Sequence, residues 1–142
     1  MNSVVIYNQS NGSVAYVIPC GDTPIDEVQR KDVPEGVESE IVERDKAFPV
    51  DEFFRDAWTW AGKGQPVLED LAKSKAIAHN IRRTKRAEEF APHDDVISKH
   101  IPGVDADAAE ASRASIRTKY ATMQSDIDVA DSTAKIKVAL GI

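Results

Sequence analysis

The order of apolar and polar positions predicts a chain whose two halves differ in character. Near the start, β-branched and aromatic residues fill two short segments, residues 3–7 and 13–18, and a polar stretch that ends in Asn11-Gly12 separates them. Asn-Gly is the strongest local signal for a tight hairpin turn, because both residues tolerate positive φ. We therefore predict a β-hairpin over residues 2–19.

Further elements are predicted before residue 62. Thr23 and Pro24 precede two acidic residues, a pattern typical of a helix that starts with a hydroxyl N-cap and a proline at its first position. A third strand is expected over about residues 38–43, and the alternation of large side chains in residues 53–60 predicts a fourth. The first half is thus expected to be a β-rich module, residues 1–62, followed by a Gly/Pro-containing linker at residues 63–66.

From residue 67 the apolar positions recur every three or four residues, which predicts helices. A first amphipathic helix is expected from residue 67 to about residue 91, where Pro92 kinks or ends it. After a break at residues 101–104, a second helix is expected at about residues 106–125, and a short final helix over residues 133–140. The sequence therefore predicts an α+β fold, in which a helical hairpin with a short terminal helix, residues 67–142, follows the β-rich module.

Charge is distributed unevenly along the chain. The net charge is -6, and residues 1–65 hold 6 Lys/Arg against 12 Asp/Glu, whereas residues 66–142 hold 12 of each. An acidic chain is a poor candidate for binding nucleic acid, which depends on neutralising phosphates. There is no signal-like segment and no apolar run near the roughly 18 residues that a membrane span requires. We expect a protein made in a cytoplasm, without a membrane or a specific nucleic acid as partner.

No familiar catalytic motif is present in the sequence. It has no Gly-rich phosphate loop, no GxSxG elbow and no Cys/His ligand spacing, and it has one cysteine, Cys20. His93, Asp94 and His100 could bind a divalent metal, as a metal-dependent enzyme would require. The acids after Pro92 are explained more simply as favourable charges at a helix N-terminus. We therefore expect no catalytic residue, no cofactor and no metal.

Two groups of side chains are candidates for contact with a protein partner. The aromatic group is expected to form much of the core of the first half, and in the alternative one tryptophan is an exposed anchor for a partner. The basic group lies on the first predicted long helix. It is either a solvated face or a surface that docks on acidic protein, such as the first half of a neighbouring subunit. The candidates are Phe53, Phe54, Trp58, Trp60, Lys75, Arg82, Arg83 and Arg86.

Three segments give the chain a resemblance to a known group of proteins. They are the opening hairpin VVIYNQSNGSVAYVIP, the central motifs DVPEG at residues 32–36 and FRDAWTW at residues 54–60, and the Ala-rich tail that begins AKSKAIAHNIRRTKRAEEF. In this order they resemble small proteins encoded in bacteriophage and prophage tail gene clusters, near tail-fibre genes. The resemblance covers nearly the whole chain. It departs from the group's commoner pattern at residues 92–95, PHDD, where an apolar continuation is usual.

The resemblance implies a structural, non-enzymatic component of a tailed bacteriophage virion, at the tail tip, the baseplate or the tail-fibre attachment. Its partners would be other tail or fibre proteins, and the chain would form a homo-oligomer, a trimer or a hexamer, in the particle. It would be made in the cytoplasm of the bacterial host. The alternative is a tail-fibre assembly chaperone that leaves before the virion is complete.

Overall fold

The computed structural model describes residues 2–100, residue 103 and residues 105–142. In this part of the chain the fold is α+β, because short strands come first and long helices follow. The chain divides into two compact units, which we call unit 1 (Met1–Lys73) and unit 2 (Ser74–Ile142). The predicted fold class, a β-rich module followed by a helical hairpin, is confirmed.

Unit 1 is built on a three-stranded antiparallel sheet. Its strands are β1 (Ser3–Asn8), β2 (Val14–Val17) and β3 (Ser39–Glu43), in the order β2-β1-β3. The predicted hairpin joins β1 to β2, and its turn requires Gly12, whose φ is 83°. The side chain of Asn11 accepts a hydrogen bond from the Ser13 amide at 2.9 Å, which fixes the turn. The local signal therefore predicted this part of the fold correctly.

Two short helices are close to these strands in the chain. α1 (Ile25–Asp32) lies between β2 and β3, and α2 (Arg44–Ala47) follows β3 directly. α1 starts one position later than predicted, because Pro24 itself occupies the N-cap and no side chain caps the helix. The Pro24 carbonyl instead accepts the amides of Glu27 and Val28, at 3.0 and 3.1 Å. The prediction of a hydroxyl N-cap at Thr23 was wrong, although the predicted helix is present.

The segment from residue 53 to residue 69 differs most from the prediction. Residues Arg55–Ala57 form a single 3-10 turn, and the expected strand is reduced to β4 (Trp58–Trp60), which pairs with β5 (Val67–Glu69). Residues 63–66 are therefore part of a hairpin loop and not a linker between domains. The first long helix begins at Leu71 rather than at residue 67, so the predicted module boundaries at residues 62 and 67 are corrected.

The loop between β4 and β5 is fastened by two carboxylates, one directly before β3 and one within it. The side chain of Glu38 accepts the Lys63 amide at 3.3 Å, and that of Glu40 accepts the Gly64 amide at 3.1 Å. Gly64 has a φ of 80°, which a residue with a side chain rarely adopts. A Gly-rich stretch that looks like a flexible linker in sequence is thus an ordered turn, because these contacts come from residues distant in the chain.

Unit 2 contains most of α3 (Leu71–Lys99), followed by α4 (Ala106–Val129) and α5 (Thr133–Leu140). Asp105 caps α4 by accepting the amides of Asp107 and Ala108, at 2.9 and 3.0 Å. Ser132 caps α5, as predicted, by accepting the Lys135 amide at 3.2 Å. The predicted break at residues 101–104 falls, except for Gly103, outside the described residues.

Pro92 lies inside α3, and the helix continues to Lys99. Of the two outcomes predicted for Pro92, a kink or the end of the helix, the end was wrong. Contacts of unit 2 hold α3 on both sides of the proline. Phe90 packs with Ile116 and Tyr120 of α4, and Asp94 pairs with Arg113 at 2.9 Å. No helix in the part of the chain that the structure describes is long and apolar enough to cross a membrane.

Candidate functional site

Three of the four aromatic candidates are buried in unit 1. Trp58 is 1% exposed, and Phe54 and Trp60 are also buried. Trp58 stacks on Phe48, with ring centroids 5.2 Å apart, and Phe48 in turn contacts Tyr16 at 5.2 Å. These rings join Val4, Ile6 and Val67 in one apolar cluster. The first interpretation of the aromatic segment, as core, agrees with this packing.

The alternative in which a tryptophan is an exposed anchor is corrected by this burial. The Trp60 indole Nε1 donates to the Gln65 carbonyl at 3.2 Å, within unit 1. The Trp58 Nε1 is buried and has no acceptor among the described residues. Phe53 differs from the other three aromatic candidates, because it is 43% exposed and meets Phe54 edge-on at 4.8 Å. Of this group, Phe53 alone retains a surface that a partner could contact.

The basic candidates lie on α3 and do not share one environment. The half-buried Lys75 donates from Nζ to the Asp128 carbonyl at 2.8 Å, so its ammonium group joins α3 to α4. His79 lies one turn further along α3, and its Nε2 is 2.7 Å from the Asp128 side chain. Lys75 therefore stabilises the helical hairpin instead of being a free surface charge.

Arg82 is the buried member of the basic group, with 8% of its surface exposed. Its Nε donates to the Nδ1 of His79 at 3.3 Å. Since Nδ1 accepts this bond, the neutral imidazole carries its proton on Nε2 and donates it to Asp128. The terminal guanidinium nitrogens of Arg82 have no hydrogen-bond or carboxylate partner in the described part of the chain. The buried guanidinium of Arg82 is thus oriented by its hydrogen bond to His79. Its terminal nitrogens remain able to donate to a further partner.

Arg82 lines a groove of about 400 Å³ between α3 and α4. We call it the arginine groove, and its polar lining consists of Arg82, Arg83 and Arg86 from α3 and Arg117, Tyr120 and Gln124 from α4. Two small side chains, Ala87 and Ala121, complete it. Six side chains that can donate hydrogen bonds line the groove, and the small alanines leave space between them. Because four of the six are arginines, the groove suits a ligand that bears negative charge.

Two further arginines of the groove also lack carboxylate partners among the described residues. Arg83 donates to the Asn80 side chain at 2.6 Å, and the Arg86 guanidinium lies 4.7 Å from the centroid of the Phe90 ring. Arg117 differs, because it pairs with Glu110 at 2.5 Å. The arginine groove therefore carries more positive charge than its own acidic residues neutralise.

A polar network beside the groove ties α3 to α4. Tyr120 donates from its hydroxyl to Glu89 at 2.5 Å, and Lys119 donates to the same carboxylate oxygen at 2.7 Å. Burial raises the pKa of Tyr120 to about 12, with a further contribution from the bond to Glu89. Hydrogen bonds from Lys119 and then Tyr120 lower the pKa of Glu89 below its ordinary value. At moderate pH the Tyr120 hydroxyl thus keeps its proton, and it donates that proton in a hydrogen bond to the ionised Glu89.

The two carboxylates that follow His93 lie close to basic side chains. Asp94 pairs with Arg113, and Asp95 lies 3.9 Å from Lys99. Among the described residues, no three His, Cys, Asp or Glu side chains form a group that could hold a metal ion. The explanation of Asp94 and Asp95 as acids at a helix N-terminus was wrong, because both lie within the last third of α3.

Sequence reasoning found the α3 side of the groove and missed the α4 side. Arg117, Tyr120 and Gln124 recur at three- and four-residue spacing and thus lie on one face of α4. That spacing was the signal that could have found them. It indicates a shared face of polar side chains but does not show which helix that face contacts.

The comparisons identify no relative: no family model matches the chain, and no curated protein or solved structure matches it either.

Proposed function

We propose that the chain is a structural, non-enzymatic interaction component of a tailed bacteriophage virion, at the tail tip, the baseplate or the fibre attachment. The observation that supports an interaction role most directly is the arginine groove, where Arg82, Arg83 and Arg86 have no carboxylate partners among the described residues. Arginine is enriched at protein interfaces, where its planar fork matches carboxylates. The groove thus suits a partner that supplies the missing carboxylates.

The location in a phage tail is supported by the sequence resemblance, and the structure explains why its central motif is distinctive. In residues 54–60, FRDAWTW, the buried side chains are Phe54, Ala57, Trp58 and Trp60. Arg55 lies over the Tyr16 ring, 5.5 Å from its centroid. A motif made of core positions is evidence of a shared fold rather than of a shared reaction. It therefore supports placement with the tail-cluster proteins and carries no catalytic role.

The partners that this function requires are other tail or fibre proteins and further copies of the chain, in a trimer or a hexamer. Homo-oligomers of soluble proteins usually have closed symmetry, and a head-to-tail contact closes into a ring when its rotation permits. Each unit of this chain is small, and a second surface of contact would add to a modest hydrophobic core.

A tail-fibre assembly chaperone is the second candidate. Exposed apolar side chains near the C-terminus favour it, since Val129 and Val138 are each 77% exposed and Ile142 is about half exposed. A chaperone needs apolar surface that binds an unassembled partner and releases it later. Such a protein would be present in infected cells and absent from the finished particle.

Disruption of the gene in the source phage tests what both candidate functions require, namely that the chain is needed to make a normal tail or tail fibre. We expect particles whose tails or fibres are defective by electron microscopy, and restoration of normal particles when the wild-type chain is supplied in the host. A matched complementation with the core variant Trp58→Ala should fail, because unit 1 would be destabilised. Normal, infective particles in the absence of the chain would contradict both candidates.

A further inference from the structure

We infer that the arginine groove of one copy binds the acidic surface of unit 1 of a second copy, so that the chain assembles head to tail. The inference deepens the proposed function and rests on it for the expectation that the occupant is protein. It names the contact through which a homo-oligomer would form.

The groove offers donors that are already positioned. Arg82 is 8% exposed and oriented by His79, and its terminal nitrogens have no partner among the described residues. Arg86 is held against Phe90, and Arg83 is held by Asn80. A guanidinium that is fixed before binding loses less conformational freedom when a carboxylate arrives. These arginines are therefore suited to paired, bidentate contact with carboxylates.

Unit 1 offers the complementary charge. It holds 7 Lys/Arg against 14 Asp/Glu, a balance of -7, whereas unit 2 holds 11 against 10, a balance of +1. The segment from residue 22 to residue 35 carries exposed carboxylates that make no ion pair within the described part of the chain. They are Asp22, Asp26, Asp32 and Glu35.

The positions of these acids favour docking on an arginine-rich surface. Asp32 ends α1, Glu35 lies in the turn that follows it, and Asp26 lies in the first turn of α1, whose last turn also carries Arg30 and Lys31. Asp32 and Glu35 are three positions apart and exposed, so they are the acids of this segment best placed to meet the groove arginines together. The charge complementarity lies between two different surfaces of the same chain, so the contact is heterologous. Repetition of such a contact closes a ring when the rotation per subunit permits it.

A second copy fits the groove better than nucleic acid does. The whole chain carries a net charge of -6, which repels a polyanion at long range. An acidic protein surface needs only local complementarity. The short-range contact can therefore form between two chains that are both acidic overall.

Sedimentation velocity on the full chain tests this inference. At low salt we expect the chain to associate, and the associated fraction to increase with protein concentration. In 0.5 M NaCl the association should weaken, because salt screens the attraction between the charges. The double variant Arg83→Gln/Arg86→Gln should raise the dissociation constant about tenfold or more. The double variant Asp32→Asn/Glu35→Gln should have a similar effect, because it removes the other side of the same contact.

A matched control uses two cations of unit 2 outside the groove. Lys99→Gln/Lys135→Gln changes the net charge by the same amount and should leave association unchanged. All substituted residues are exposed, so circular dichroism should show folded proteins in each case.

Mixing the two interface variants gives the sharpest result. Each variant retains one intact surface, so a mixture should form a one-to-one complex that cannot grow further. Monomer at every concentration in low salt would overturn the inference, as would association that the control weakens as much as the groove variant. Absence of a complex in the mixture would also overturn it. None of these results changes whether the chain is found in particles, so the proposed function is tested separately.

Discussion

Trp58 shows how one side chain determines the stability of unit 1. Its ring is stacked on Phe48 and belongs to the cluster that joins the sheet to the β4–β5 hairpin. The unpaired indole Nε1 is a small cost, since a buried donor without an acceptor destabilises the fold. Burial of the apolar ring outweighs that cost.

We expect Trp58→Ala to reduce the free energy of unfolding by about 3–5 kcal/mol, as for other buried aromatic residues. Urea unfolding followed by circular dichroism measures this change. Phe53→Ala is the matched control, because Phe53 lies in the same segment and is 43% exposed. Its cost should be below about 1.5 kcal/mol. Equal effects of the two substitutions would show that Trp58 is not the core residue described here.

The raised pKa of Tyr120 predicts a loss of stability of unit 2 at alkaline pH. In the unfolded chain the phenol ionises near its ordinary pKa of 10.0, whereas in the folded chain its pKa is about 12. The stabilising contribution is therefore complete below pH 10 and is lost as the pH rises through 12. Thermal unfolding between pH 8 and pH 12 should show a steeper fall for the wild type than for Tyr120→Phe. Parallel curves would contradict the assignment.

The lowered pKa of Glu89, which accepts the hydrogen bond of Tyr120, predicts a loss of stability of unit 2 at acidic pH. Its pKa is lowered by Lys119 and Tyr120, so its contribution is present above its ordinary value of 4.5 and is lost as the pH falls through the lower folded value. Glu89→Gln should remove this part of the acid destabilisation of unit 2. The comparison with wild type from pH 6 to pH 2 measures it.

At the scale of elements, signals within a few residues predicted the structure well. Asn11-Gly12 predicted the β1–β2 hairpin, and Ser132 predicted the start of α5. Residues 53–60 were wrongly read as one strand, because alternation cannot distinguish a strand from a turn whose residues also face a core. β5 is three residues long and depends on pairing with β4, so no local pattern could show it.

Pro92 is the clearest case in which contacts override a local signal. Proline in a helix interior removes a hydrogen bond and costs about 3 kcal/mol. The Phe90 cluster and the Asp94–Arg113 ion pair hold α3 on either side. We expect Pro92→Ala to raise the stability of unit 2 by about 1–2 kcal/mol, because the ring is exposed and no packing is lost. A lower melting temperature in the variant would show that the proline is needed for the native helix geometry.

At the scale of the whole molecule, the candidate site could be predicted only in part. The run of basic residues in α3 was visible, and three of its arginines line the groove. The burial of Arg82 and the approach of Arg117 depend on the register of α3 against α4, which tertiary packing sets. The uneven charge of the two halves was readable from the sequence, and it is the property that now gives the groove a complementary surface in another copy.

The proposed function requires that the chain is a permanent component of a phage tail. Quantitative mass spectrometry of purified, mature particles tests it most directly, with extracts of infected cells as the reference for total chain produced. We expect a fixed, low copy number per particle that is a small multiple of three. Presence in the extracts and absence from the particles would contradict the structural role and favour the chaperone.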